Sequence, residues 1–158
     1  MERKKQAHRV FLVVVDQSAE LKLALRFAAR RARATGGRVA MLYVTEPAEA
    51  EWLGVGDIMR EERRAEAEQR LQELSTQVQT LSGEMPILYV REGTVRDELL
   101  KLIDEEPSIS ILVLGADAGS GGPGPLVTAL AGKFASKLHV PLTIVPGSLT
   151  DEEVDAIT

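Results

Sequence analysis

The residues best suited to chemistry form a glycine-rich stretch between an apolar run and a helix-spaced apolar row. Glycines at 115, 119, 121, 122 and 124 follow the run Ile111–Leu114. Glycine allows backbone amides to converge on one point, and the positive end of a helix dipole there favours phosphate and other anions. The stretch therefore predicts an anion-binding turn. The alternative is an exposed loop without a ligand, because loops are commonly rich in glycine.

Asp16 is a second candidate, since it ends the first apolar run, 9–15. Its carboxylate suits a ribose hydroxyl or Mg²⁺, or it caps the first helix. Ser18 is interpreted as a helix cap. In open parallel sheets, ligands bind beyond the carboxyl ends of the strands, where the strand order reverses. If the first and fourth strands are neighbours there, Asp16 and the glycine-rich turn line one crevice.

Short apolar runs that alternate with helix-spaced segments must position these groups. Strands are predicted at 9–15, 38–45, 85–91, 109–114 and 141–145, and helices lie between them, one at 19–34 and the last ending at Leu138. This alternation predicts a parallel sheet covered on both faces, in one α/β domain over residues 1–158. Its core is 8–147. The polar tail, 148–158, either frays or forms a short helix, because Thr150 and Glu153 have capping-box spacing.

Composition argues against several classes of function. The net charge of −5 and the pI of about 5.2 disfavour nucleic-acid binding, which needs a basic face. The absence of cysteine excludes disulfides and thiolate chemistry. No apolar run is long enough for a membrane span, and neither His8 nor His139 belongs to a visible catalytic arrangement. We therefore expect a cytoplasmic protein that is not an enzyme and does not contact membranes.

Three segments resemble the universal stress protein family. They are Val14-Val15-Asp16-Gln17-Ser18, Leu42-Tyr43-Val44, and a glycine pattern in which Gly119, Gly122 and Gly132 have the spacing of the family's nucleotide-binding loop. The resemblance spans about residues 8–147. Two positions differ from the family pattern. Lys133 replaces a Ser or Thr, and Gly115, not Gly119, directly follows the strand.

The resemblance implies a fold and a set of ligand contacts. The fold is a three-layer α/β domain with a five-stranded parallel sheet of order 3-2-1-4-5. The implied ligand is ATP or AMP, with or without Mg²⁺. Asp16 would contact the ribose and the metal, and Val44 the adenine. The phosphate would be held by Gly115, Gly119, Gly122 and Gly132, while Lys133 either contacts the phosphate or fills its space.

The implied function is that of a non-catalytic adenine-nucleotide-binding protein of the stress response. The alternative, which the Lys133 substitution prompts, is a dimeric interaction module that binds no nucleotide. An unidentified regulatory protein is a possible partner in either case. A homodimer is expected through the apolar edge of the last strand, formed by Leu142, Thr143, Ile144 and Val145.

Overall fold

A computed structural model describes residues 9–47 and 56–158 of the chain. Its strands are β1 (Val10–Val14), β2 (Arg38–Thr45), β3 (Ile87–Glu92), β4 (Ile109–Ala116) and β5 (Leu142–Pro146). Its α-helices are α1 (Leu21–Thr35), α2 (Gly56–Ser82), α3 (Val95–Glu105), α4 (Pro125–Ala131) and α5 (Asp151–Ile157). The strands form one sheet in the order β3-β2-β1-β4-β5, and all neighbours are parallel. The predicted fold class and strand order are therefore confirmed.

The central strand β1 is apolar throughout because both faces of the sheet are covered. Phe11 and Val13 belong to a core cluster shared with α1, α2 and α5. Val10, Leu12 and Val14 belong to a second cluster shared with α3 and α4. This alternation follows from the two-residue repeat of a strand. It gives the three-layer arrangement that the alternating strands and helices predict.

One end of α1 agrees with the prediction from the sequence, and the other end does not. The C-terminal end is as predicted, because Gly36 adopts the left-handed conformation and its N–H donates to Ala32 O. At the N-terminal end, Glu20 occupies the cap position, so the interpretation of Asp16 or Ser18 as the cap is wrong. The two residues instead bond to each other, one turn ahead of the helix.

The polar tail forms a short helix and does not fray. Thr150 and Glu153 make both hydrogen bonds of the predicted capping box at the start of α5. Val154, which is fully buried, packs α5 into the cluster on the α1 side of the sheet. Arg26 of α1 donates two hydrogen bonds of 2.7 Å to the Asp155 carboxylate. The tail is thus fixed to the body of the protein.

The helix after the glycine-rich turn is shorter than predicted. α4 ends at Ala131, and only a short 3-10 helix, Ala135–Lys137, follows before β5. The reason is Gly132, whose φ of −118° and ψ of −114° are not helical. A Cβ at this position would lie 2.8 Å from the carbonyl oxygen of Thr128. Leu126 and Leu130 of the apolar row therefore lie in α4, whereas Phe134 and Leu138 flank the 3-10 helix.

No helix within residues 9–47 and 56–158 combines the length and the apolar character that a membrane crossing requires.

Candidate functional site

The turns after β1 and β4 lie together at one edge of the sheet. β1 pairs with β2 on one side and with β4 on the other, so the strand order reverses between β1 and β4. This is where open parallel sheets bind ligands. The condition that the sequence left open is therefore met, because the two strands are neighbours. Asp16 and the start of the glycine-rich turn face a common region.

The larger of two clefts at this edge has a volume of about 660 Å³, which falls within the usual range for small-molecule sites. Its apolar lining comes from Val14, Val15, Tyr43, Val44, Val95, Pro125, Leu126 and Ala129. Its polar lining comes from Asp16, Gln17, Glu46, Thr94 and Arg96. The cleft therefore offers an apolar surface bordered by a few polar groups of both charges. We call it the main cleft.

The smaller cleft, of about 100 Å³, adjoins the main cleft and shares four of its residues, Val14, Asp16, Pro125 and Leu126. Its wall also contains Ser18 and Glu20 from the turn before α1, and Gly115 and Gly124 from the glycine-rich turn. Asp16 lies at the junction of the two clefts. A molecule in the main cleft therefore has room to extend towards the start of α4.

The Asp16 carboxylate is exposed and only partly engaged. Its Oδ1 accepts the backbone N–H of Ser18 at 2.9 Å and also the Ser18 hydroxyl. Within the described residues, Oδ2 accepts no hydrogen bond. No group of three or more metal-ligating side chains occurs among those residues. A Mg²⁺ ion at Asp16 would therefore need phosphate and water ligands in addition to protein carboxylate.

Gly115 has a packing role that is independent of any ligand. A Cβ at this position would lie 2.7 Å from Glu20 Cγ and 2.8 Å from the Glu20 carbonyl oxygen. Because real side chains do not approach so closely, only glycine lets the start of α1 pack on the end of β4. Packing against Glu20 is thus enough to explain why a glycine stands at the end of β4. Gly115 also lines the smaller cleft, and this is independent of the packing role.

The remaining predicted phosphate residues line neither cleft in the described structure. The Gly119 N–H donates to Asp117 Oδ1 at 2.8 Å, so this amide already has an acceptor. Gly122 is exposed, and its φ of +91° is one that other residues rarely adopt. The backbone conformation of the turn therefore explains this glycine without a ligand. Gly132 and Lys133 are exposed beyond the end of α4. Of the predicted site residues, Asp16, Val44 and Gly115 are therefore the ones that the clefts bring together.

Sequence reasoning missed the part of the main cleft that follows β2 and β3. Glu46 comes directly after β2, and Thr94 and Arg96 begin α3 after β3. These residues could have been predicted from the sequence, because ligands bind beyond the carboxyl ends of parallel strands in general and not only after β1 and β4. Tyr43, Leu126 and Ala129 had no such signal, since their place in the cleft depends on how α4 packs across the sheet.

Comparison with protein families identifies the chain. Residues 8–146 match the model of the universal stress protein family. A comparison with curated proteins found no match. Among solved structures, universal stress protein UspA from Lactobacillus plantarum is similar, with a TM-score of 0.71 and 18% identity. The similarity covers 87% of this chain and 97% of that one.

Two further structures contain a ligand. A universal stress protein in complex with cAMP has a TM-score of 0.65 and 19% identity, over 90% of this chain and 99% of that one. The universal stress protein from Archaeoglobus fulgidus in complex with dAMP has a TM-score of 0.60 and 22% identity, over 88% and 98%. At these identities the structures establish the fold alone, but the family match spans most of the chain. This protein belongs to the universal stress protein family.

Proposed function

We propose that the protein is a non-catalytic regulator of the stress response that binds an adenine nucleotide in the main cleft. The supporting observation is that Asp16 and Val44, from two neighbouring strand ends, line one cleft of about 660 Å³ at the strand-order reversal. Two solved relatives bind cAMP and dAMP. The proposed ligand is ATP or AMP, with Mg²⁺ carried by the phosphate groups.

The lining of the main cleft suits a nucleoside. Its apolar wall, which includes Val44 and Leu126, can exclude water from a flat base. The free Oδ2 of Asp16 can accept a hydrogen bond from a ribose hydroxyl. The adjoining smaller cleft, with Gly115 and Gly124 in its wall, extends the site beyond the ribose contact at Asp16.

The same lining supports binding without catalysis. Among the described residues that line the two clefts, none is a histidine, cysteine or lysine, three of the residue types that often act as nucleophiles or general bases. We propose accordingly that the bound nucleotide acts as a signal and not as a substrate. The net charge of −5 argues against nucleic acid as a partner. We propose that the protein is cytoplasmic.

Isothermal titration calorimetry with adenosine, AMP, ADP and ATP, with and without Mg²⁺, tests the proposal. Asp16→Ala is expected to weaken adenosine binding about fivefold through loss of a charge-assisted hydrogen bond. Asp57→Ala is the matched control, because its side chain is 97% exposed and lines neither cleft. An absence of heat with all four compounds would contradict the proposal.

A dimeric interaction module is the second candidate. β5 is an edge strand, and Ile144 on it is 40% exposed. An apolar sheet edge favours pairing with a second copy, so we propose a homodimer through Leu142, Thr143, Ile144 and Val145. Analytical ultracentrifugation should then show a dimer that Ile144→Lys dissociates and Ile157→Lys, at an exposed isoleucine of α5, does not. A monomer at micromolar concentration would refute the dimer.

A further inference from the structure

Three cationic side chains surround one aromatic ring near the main cleft. The Arg96 guanidinium lies 3.9 Å from the centre of the Phe134 ring, Lys137 Nζ lies at 5.5 Å and Lys133 Nζ at 5.7 Å. All three distances are within the range of cation–π attraction. The groups come from α3, the segment after Gly132 and the 3-10 helix. We call them the Phe134 cluster.

The positive charge of the Phe134 cluster is incompletely neutralised. Arg96 Nε forms an ion pair of 3.4 Å with Asp97. In residues 9–47 and 56–158, neither Lys133 nor Lys137 has a carboxylate oxygen within 4 Å. The two lysine Nζ atoms lie 5.7 and 5.5 Å from the ring centre, and the Arg96 guanidinium is closer still. No two of the three charges are therefore more than about 11 Å apart. Because the Debye length is of similar size, the cations repel one another and an anion among them is favoured.

The Phe134 cluster is attached to the main cleft at two points. Arg96 lines the cleft, and Ala129, also in its lining, accepts the backbone N–H of Phe134 at 2.9 Å. Among the described residues of the cleft lining, Arg96 carries a positive charge, whereas Asp16 and Glu46 carry negative charges. In the absence of a metal ion, a nucleotide in the cleft is therefore attracted, at its phosphate end, towards Arg96 and away from the two carboxylates.

We propose that the Phe134 cluster receives the phosphate chain of the nucleotide and makes its affinity increase with the number of phosphate groups. This inference rests on the proposed function and adds Arg96, Lys137 and Phe134 to the residues predicted for the site. Lys133 then acts through its charge, in place of the hydroxyl found in the family pattern. A triphosphate reaches all three cations, while a monophosphate reaches at most the nearest.

Calorimetry at low ionic strength, without Mg²⁺, tests this proposal with adenosine, AMP and ATP. ATP is expected to bind about tenfold more tightly than AMP, because its additional phosphate groups would form exposed charge pairs with Lys133 and Lys137. The double variant Lys133→Gln/Lys137→Gln should reduce this ratio to about twofold and leave adenosine affinity unchanged. Lys22→Gln/Lys101→Gln, which removes the same charge at exposed positions of α1 and α3, should keep the tenfold ratio.

The possible outcomes separate this proposal from the proposed function. Equal affinity for AMP and ATP, or a preference that survives in the Lys133/Lys137 variant, overturns the role of the Phe134 cluster while nucleotide binding stands. Inorganic tripolyphosphate that binds as tightly as ATP overturns the proposal that the cluster receives the phosphate chain of a nucleotide, since the site would then recognise polyphosphate without a nucleoside. If adenosine, AMP and ATP all fail to bind, the proposed function falls and this inference falls with it.

Discussion

Replacing Gly115 by alanine should destabilise the protein through a steric conflict at the junction of β4 and α1. The added Cβ would lie 2.8 Å from the Glu20 carbonyl oxygen, which is a backbone atom and cannot rotate away. Glu20 occupies the N-cap position of α1, and α1 packs on the sheet through fully buried residues such as Leu25 and Ala28. Relief of the conflict therefore requires the backbone to move at the edge of the core.

Conflicts of this size in a packed region usually cost about 1–3 kcal/mol. With a urea m-value of about 2 kcal/mol per molar, the midpoint of unfolding should fall by roughly 1 M. Circular dichroism during urea titration measures this shift. Gly121→Ala is the matched control, because a Cβ there has no atom within 4 Å and the backbone φ is not positive. The control should remain within about 0.5 kcal/mol of the parent protein.

If Gly115→Ala unfolds at the same urea concentration as the parent protein, there is no steric conflict with Glu20. Equal destabilisation of Gly121→Ala would also refute the steric conflict, because the effect would then come from loss of glycine flexibility in the loop and not from contact with Glu20. A nucleotide-binding role for Gly115 alone would leave the unfolding midpoint of the ligand-free protein unchanged.

Three further predictions concern α5. Thr150→Ala removes the capping box and should cost about 1 kcal/mol in urea unfolding. Val154→Ala, at a fully buried position, should cost about 2 kcal/mol, whereas truncation of exposed Ile157 to alanine should have almost no effect. The hydrogen bonds from Arg26 lower the pKa of Asp155 below its ordinary value of 3.8. The stabilisation by this pair is therefore present above that value and is lost as the pH falls through the lowered pKa. Asp155→Asn should accordingly be less stable than the parent protein at about pH 6, and the difference should shrink below about pH 4; an unchanged difference at low pH would contradict the role of the carboxylate.

Local sequence patterns accounted for the elements but not for all of their ends. The apolar runs of β1 and β4 identify buried strands, because few other structures bury such a run on both faces. Thr150 and Glu153 identify the start of α5, since the capping box depends only on residues three apart. The end of α4 was missed. The apolar spacing continued to Leu138 while Gly132 interrupted the backbone, and spacing alone does not detect such a break.

The sequence by itself determined which chemical groups are available: the Asp16 carboxylate after β1, the glycines of the turn after β4 and the cationic Lys133 after α4. Only the tertiary structure decided which of these groups meet. Asp16, Val44 and Arg96 line one cleft because β1, β2 and α3 converge at the strand-order reversal, while Phe134 gathers Arg96, Lys133 and Lys137 around its ring. The physical reason is that hydrophobic patterning specifies which faces are buried and leaves undetermined which neighbours bury them.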